Sequence, residues 1–158
     1  MAERDFYGVF ISIEGDTILL PNVAVAEVVA LDQVSTVDGA PPWWLGQITW
    51  NGARVPLVSL EAMNGKTPPQ PTRRSRIAVI NSPGREFEVG QLAFVCQGYP
   101  HLVTLNAAAM ASEALDPDDA DALVLARTRI ANTRAMIPDL EFIEHQLSQA
   151  RDTIDAVA

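Results

Sequence analysis

The run from Gly46 to Leu60 constrains the fold more than any other stretch of the chain. Its residues are Gly46-Gln47-Ile48-Thr49-Trp50-Asn51-Gly52-Ala53-Arg54-Val55-Pro56-Leu57-Val58-Ser59-Leu60. Two β-compatible segments meet at Asn51-Gly52, and both of these residues tolerate the positive φ that a two-residue type I′ turn demands. The spacing therefore predicts a tight β-hairpin. Pro56 cannot donate a ladder hydrogen bond, which predicts an edge position for the second strand.

Short strands extend on both sides of this hairpin. Val9, Ile11 and Ile13 alternate with Phe10, Ser12 and Glu14, and Glu14-Gly15-Asp16 turns the chain into Thr17–Leu20. Val23–Val29 reads equally as strand or helix, because alanine favours the latter. Leu60–Met63 reads as a short helical piece ended by Asn64-Gly65. Pro68-Pro69-Gln70-Pro71-Thr72 is the one linker-like segment.

Beyond the linker the pattern restarts with a strand at Ile77–Ile80, a turn at Asn81–Gly84, a return strand at Glu86–Val89 and a further strand at Leu92–Cys96. This order faintly echoes residues 9–29. Residues 107–121 are small and acidic and read as a loop. Leu123–Ile130 and Arg134–Ile137 predict a hairpin turned at Asn132-Thr133. Asp139 then caps a helix marked by Leu140, Ile143, Leu147 and Ile154. Many short strands and one terminal helix predict a mainly β fold of small barrels.

Composition narrows the function classes. The 158 residues carry a formal net charge of −9, so phosphate backbones and anionic membranes are repelled. The expectation is no nucleic-acid partner and no direct membrane insertion. Cys96 is the single cysteine, which excludes an intrachain disulfide or a cysteine-based zinc cage. Met1-Ala2-Glu3-Arg4-Asp5 lacks the basic-then-apolar order of a secretory signal, and no apolar run reaches membrane-span length. A cytoplasmic location is expected.

No spacing nominates a catalytic residue, a metal ligand or a cofactor. His101 and His145 lie far apart. Asp116–Asp121 superficially resembles a calcium loop, yet it lacks the central glycine, and Arg127 stands where the bidentate glutamate belongs. Arg73-Arg74-Ser75-Arg76 is the one basic cluster, read either as a solvated strand start or as a contact for an acidic partner.

Several of these residues together resemble the CheW-like chemotaxis coupling family. Its pattern is a strand with a V-x-E-V-like run, a proline-containing connection, and G-x-x-N-L-R-G-x-x-x-P-x-x-D-L. Here stand Val25-Ala26-Glu27-Val28, then Pro41-Pro42-Trp43-Trp44-Leu45-Gly46, then Gly52, Pro56 and Leu60 at the matching spacings. Val89–Val95 is similar to the family's glycine-leucine-valine strand. The resemblance spans roughly residues 6–150.

The departures fall at Thr49, Trp50, Asn51 and Ser59, where the family has asparagine, leucine, arginine and aspartate. The family arginine is implicated in receptor contact, so Asn51 puts ordinary receptor coupling in question. The acidic character resembles the divergent ChpC-type members of type IV pilus (twitching motility) chemosensory clusters.

The resemblance implies two intertwined five-stranded SH3/OB-like barrels with a C-terminal helix. The expected division is residues 11–70 plus 139–150 in one subdomain and 73–138 in the other, with the N-terminal strand shared. It implies a non-enzymatic adaptor that binds the regulatory domain of a CheA-type histidine kinase and the cytoplasmic tip of a methyl-accepting chemoreceptor. The candidate docking residues are Glu27, Val28, Pro41, Trp43, Trp44, Gly46, Asn51 and Gly52. Adjacent tryptophans on an extended chain point to opposite sides, so at most one of Trp43 and Trp44 fills the core. Trp50 continues the alternation of Ile48 and reads as core. The competing reading is an OB- or SH3-like barrel that binds single-stranded nucleic acid or another protein.

Overall fold

The computed structural model describes residues 6–82 and 90–157. The chain runs β1 (Phe6–Ile13), β2 (Asp16–Pro21), a 3-10 turn (Asn22–Ala24), β3 (Val25–Ala30), β4 (Trp44–Trp50), β5 (Ala53–Val58) and α1 (Leu60–Met63). It continues through β6 (Ser75–Asn81), β7 (Gln91–Gln97), β8 (His101–Leu105), β9 (Met110–Glu113), β10 (Val124–Ile130) and β11 (Thr133–Pro138) to α2 (Leu140–Val157). The expected return strand at Glu86–Val89, with Pro83 and Gly84 of its turn, lies outside the described residues.

The described strands form two sheets, one of six strands in the order β8-β1-β2-β11-β10-β9 and one of five in the order β3-β6-β7-β5-β4. β1 and β2 belong with β8 to β11, and β3 to β7 form the other sheet. The physical reason is a long-range parallel pairing: Met136 of β11 sits opposite Ile18 of β2 and ties the two ends of the chain together. Such a pairing leaves no local trace in the sequence.

Alternation along the strands builds three apolar clusters. Val9, Ile11 and Ile13 of β1 and Ile18 and Leu20 of β2 point between the sheets, where they meet Ala78, Ile80, Leu92, Phe94 and Cys96, together with Ile143 and Leu147 of α2. Leu19 points the other way and packs with Ile130 and Ala135, flanked by Phe10 and Val103. On the far face of the five-stranded sheet Ile48, Val55, Leu57, Ile77, Val79 and Ala93 form the third cluster. β6 is thus covered on both faces, which explains its unbroken apolar run.

The Asn51-Gly52 hairpin forms as expected, with Trp50 opposite Ala53 and φ of 51° and 78° at the two turn residues. Pro56 is a correction: β5 lies inside the sheet and β4 forms its edge. The parallel pairing of β5 with β7 covers Leu57 and Val58 and leaves out Pro56, so the missing donor interrupts nothing. The closing hairpin turns at Ala131-Asn132, one residue earlier than expected, since Ile130 pairs with Thr133 and Ala131 takes a φ of 53°. β9 forms within the segment read as a loop, paired with β10 at the sheet edge. The helix α2 starts where Asp139 Oδ1 accepts from the Phe142 N–H at 3.2 Å, and runs past residue 150 to Val157.

The acidic loop closes around a guanidinium. Arg127, 3% exposed, donates from Nε and Nη2 to Asp119 at 2.9 and 2.7 Å, and from Nη1 and Nη2 to Asp16 at 2.7 and 2.9 Å. Asp119 also accepts from Asn64 Nδ2 at 3.1 Å and the Asp116 N–H at 2.8 Å. The carboxylates that superficially suggest a calcium loop therefore hold an internal cation. Among the described residues no carboxylate, histidine or cysteine group is placed to hold a metal ion.

Candidate protein-docking site

The five-stranded sheet curls until its two edges meet. Ser35 and Gln47 exchange backbone hydrogen bonds of 2.9 and 2.7 Å, so the chain leaving β3 runs back along β4. Farther along the same seam Trp50 Nε1 donates to Glu27 Oε2 at 2.6 Å. Glu27 shares the face of Val29, which covers the third cluster, and its position at the rim lets an otherwise solvated carboxylate reach across.

This junction gathers half of the expected docking residues. Glu27 is exposed on β3 and Val28 beside it is half-buried; Asn51 and Gly52 form the exposed hairpin tip next to Trp50. Trp50 itself is half-buried against the third cluster and its indole N–H faces the rim. The reading of Trp50 as core misses that second role. Asn51, standing where the family has arginine, supplies the positive φ of the turn and no charge.

The other half lies elsewhere. Pro41 and Trp43 line a 340 Å³ hollow with Gln146, Ala150 and Ile154 of α2. Trp43 is half-buried, whereas Trp44 is 6% exposed and fills the central core, its Nε1 donating to the Gly46 carbonyl at 3.1 Å. Trp44 is thus the more deeply buried of the two tryptophans. Gly46 is structural as well. The ladder between β4 and β5 shifts between Trp44 and Gly46, and a Cβ on Gly46 would stand 2.3 Å from the Ser35 carbonyl oxygen. Only a residue without a side chain lets the seam close there.

Ser59 occupies the family's aspartate position and caps a helix. Its Oγ accepts from the Ala62 N–H at 3.1 Å and so caps α1. Reactive side chains are withdrawn from solvent or set apart. Cys96 is fully buried, and burial pushes its thiol up to about 12. His101 lies exposed on β8 and His145 on α2.

The family model for the CheW-like domain matches residues 8–147. The chain belongs to the CheW-like family. Its fold is similar to the crystal structure of scaffolding protein TtCheW from Thermoanaerobacter tengcongensis, with a TM-score of 0.73, 16% identity, and coverage of 88% of this chain and 87% of that one. No curated protein matches the chain. At that identity the likeness concerns the fold, and CheW-like membership makes this chain one of a family of scaffold and adaptor domains. Among the described residues no helix is long and apolar enough to cross a membrane.

Proposed function

We propose that this protein is a non-enzymatic chemosensory adaptor of the cytoplasm, coupling a CheA-type histidine kinase to chemoreceptors. The observation that carries the reading is the Glu27–Trp50 junction at the rim of the five-stranded sheet, within a chain matched by the CheW-like family model. Edge strands bridged by two side chains present apolar surface, an indole and a carboxylate together, and aromatic groups dominate interface energetics. Glu27, Asn51 and Gly52 form the kinase-facing surface in this reading, with Val28 on the opposite face of β3 at the same rim, and Pro41 and Trp43 a separate contact beside α2.

Asn51 removes the charged donor that the family offers to receptors, so receptor choice differs from that of arginine-bearing members. The acidic character fits a ChpC-like role in twitching-motility control. The net charge of −9 disfavours the single-stranded nucleic-acid alternative, which calls for a basic groove with exposed aromatic side chains.

Calorimetric titration into the regulatory domain of the CheA-type kinase from the same cell tests the proposal. Saturable binding that Glu27→Arg weakens, with the fold intact by circular dichroism, is expected. Absence of binding removes the kinase as partner; binding that Glu27→Arg leaves unchanged removes the junction as the site.

A further inference from the structure

A second groove opens on the third cluster at a different place, beside the proline-rich linker. It encloses about 570 Å³ and is lined by Leu31, Val34, Leu45, Leu57 and Val95 on the sheet side. Pro68, Pro69 and Pro71 form the opposite wall, and Arg73 and Arg76 stand at its rim. A volume of this size accommodates several side chains. Its lining is mainly apolar and partly open to water, a combination that a folded chain ordinarily covers. Ser59 and Glu61 are its buried polar members, and Glu61 accepts from the Glu14 N–H and from Ser59 Oγ.

The rim is built, and among the described residues no carboxylate pairs with its charge. Ser75, 4% exposed, accepts the Thr72 N–H on Oγ at 2.8 Å and returns its own N–H to the Thr72 carbonyl at 3.1 Å, fixing a tight turn that projects Arg73 and Arg74. Arg76 Nη1 donates to the carbonyls of Arg73 and Ser75 at 3.0 and 2.8 Å, and its guanidinium lies 5.5 Å from the Tyr99 ring centroid. Among the described residues none of these three arginines meets a carboxylate within ion-pair distance, whereas Arg127, Arg129 and Arg134 all do. The chain holds only 11 Lys and Arg against 20 Asp and Glu, so three arginines in four residues, none of them facing a carboxylate among the described residues, form a positive patch on a negative surface.

We propose that this groove docks an extended peptide segment of a partner protein, bearing bulky apolar side chains interleaved with carboxylates. The apolar side chains enter between Leu31, Val34 and Val95 and the proline wall, and the carboxylates meet Arg73 and Arg76. An extended strand sends alternate side chains to opposite faces, which matches a groove with a mainly apolar floor and a charged lip. The spread of charge over Arg73, Arg74 and Arg76 suits several carboxylates in a row, more than one small acid carries. The rest of the surface repels such a segment, so charge complementarity directs it here. The site lies apart from the Glu27–Trp50 junction and its test contains neither kinase nor receptor, so it stands or falls separately from the adaptor reading.

The test is fluorescence anisotropy with a fluorescein-labelled peptide Glu-Leu-Glu-Phe-Asp-Leu-Glu, beside a control in which lysine replaces every acidic residue. Saturable binding of the acidic peptide alone is expected, weakening steeply with added salt. Arg73 makes no side-chain hydrogen bond or ion pair among the described residues, and Arg73→Glu is expected to lower affinity about tenfold or more. Leu31→Asp is expected to reduce it independently of the arginine. Equal binding of the lysine control, no saturation, or an unchanged affinity in Arg73→Glu overturns the proposal. Octanoate combines an apolar tail with one carboxylate; complete displacement of the peptide by equimolar octanoate reassigns the groove to small amphiphilic acids and also overturns it.

Discussion

Replacing Arg127 by methionine removes the cation at the centre of three carboxylates and leaves the apolar part of the side chain in place. Asp119 is the group that suffers, because its side chain is 2% exposed and it loses both guanidinium contacts. Asp16 and Asp116 are 19% and 42% exposed and regain water. Breaking one side of a buried pair costs about 3–5 kcal/mol, since the remaining charge is stranded. That is a large share of the roughly 5–15 kcal/mol by which a domain is stable. Urea unfolding at neutral pH measures it as a fall in midpoint at constant m.

The pH dependence supplies a second readout of the same pair. Hydrogen bonding from Arg127 holds the Asp119 carboxyl well below the usual carboxylate range. A depressed folded-state pKa contributes stability that is complete above the unfolded value of about 3.9 and is lost as pH falls below it toward the folded value. The gap between wild type and Arg127→Met therefore narrows as pH drops through that window. A loss below about 1 kcal/mol at neutral pH, of the size seen for exposed pairs, refutes the argument that the network is buried and structural.

Gly46→Ala forces a Cβ against the Ser35 backbone; overpacking of this kind costs about 1–3 kcal/mol, a fall in Tm of roughly 2–4 °C per kcal/mol for a chain of this size, read by calorimetry. Cys96 stays unlabelled by maleimide in the folded protein and reacts on unfolding. Because burial raises its thiol to about 12, stability falls as pH climbs above the unfolded thiol value of about 8.5. Trp50→Phe keeps a smaller aromatic ring on the third cluster and deletes the donor to Glu27; kinase binding measured by calorimetry weakens more than the urea midpoint falls.

Elements specified by neighbouring residues were legible in the sequence. Asn51-Gly52 carries its own turn geometry, and Asp139 with Ile143 and Leu147 marks α2 within a single stretch. β8 and β9 were missed because both are short edge strands with half or more of their residues exposed, so alternation has little room to show. Pro56 misled because its lack of a donor is harmless wherever a neighbour's ladder begins one residue later. The membership of the sheets was illegible because the chain leaves the six-stranded sheet at Pro21 and returns only at His101.

The docking site divides along the same line. Trp50 and Glu27 are 23 residues apart, and no local pattern announces that two sheet edges will meet. Strand alternation did not fix the mutual position of Trp43 and Trp44: Trp43 sits in the turn before β4, and it packs against the same central cluster that Trp44 enters. One long-range signal was present in the sequence: Arg127 stands where a calcium loop needs a carboxylate, and the structure places that guanidinium among the loop's own aspartates.

Co-sedimentation tests the coupling claim most directly. Vesicles bearing the cognate chemoreceptor are mixed with the CheA-type kinase, with and without this protein, and pelleted. The account predicts that the kinase enters the pellet in proportion to added adaptor, and that Glu27→Arg abolishes the transfer. A kinase fraction in the pellet that is unaffected by the adaptor contradicts it.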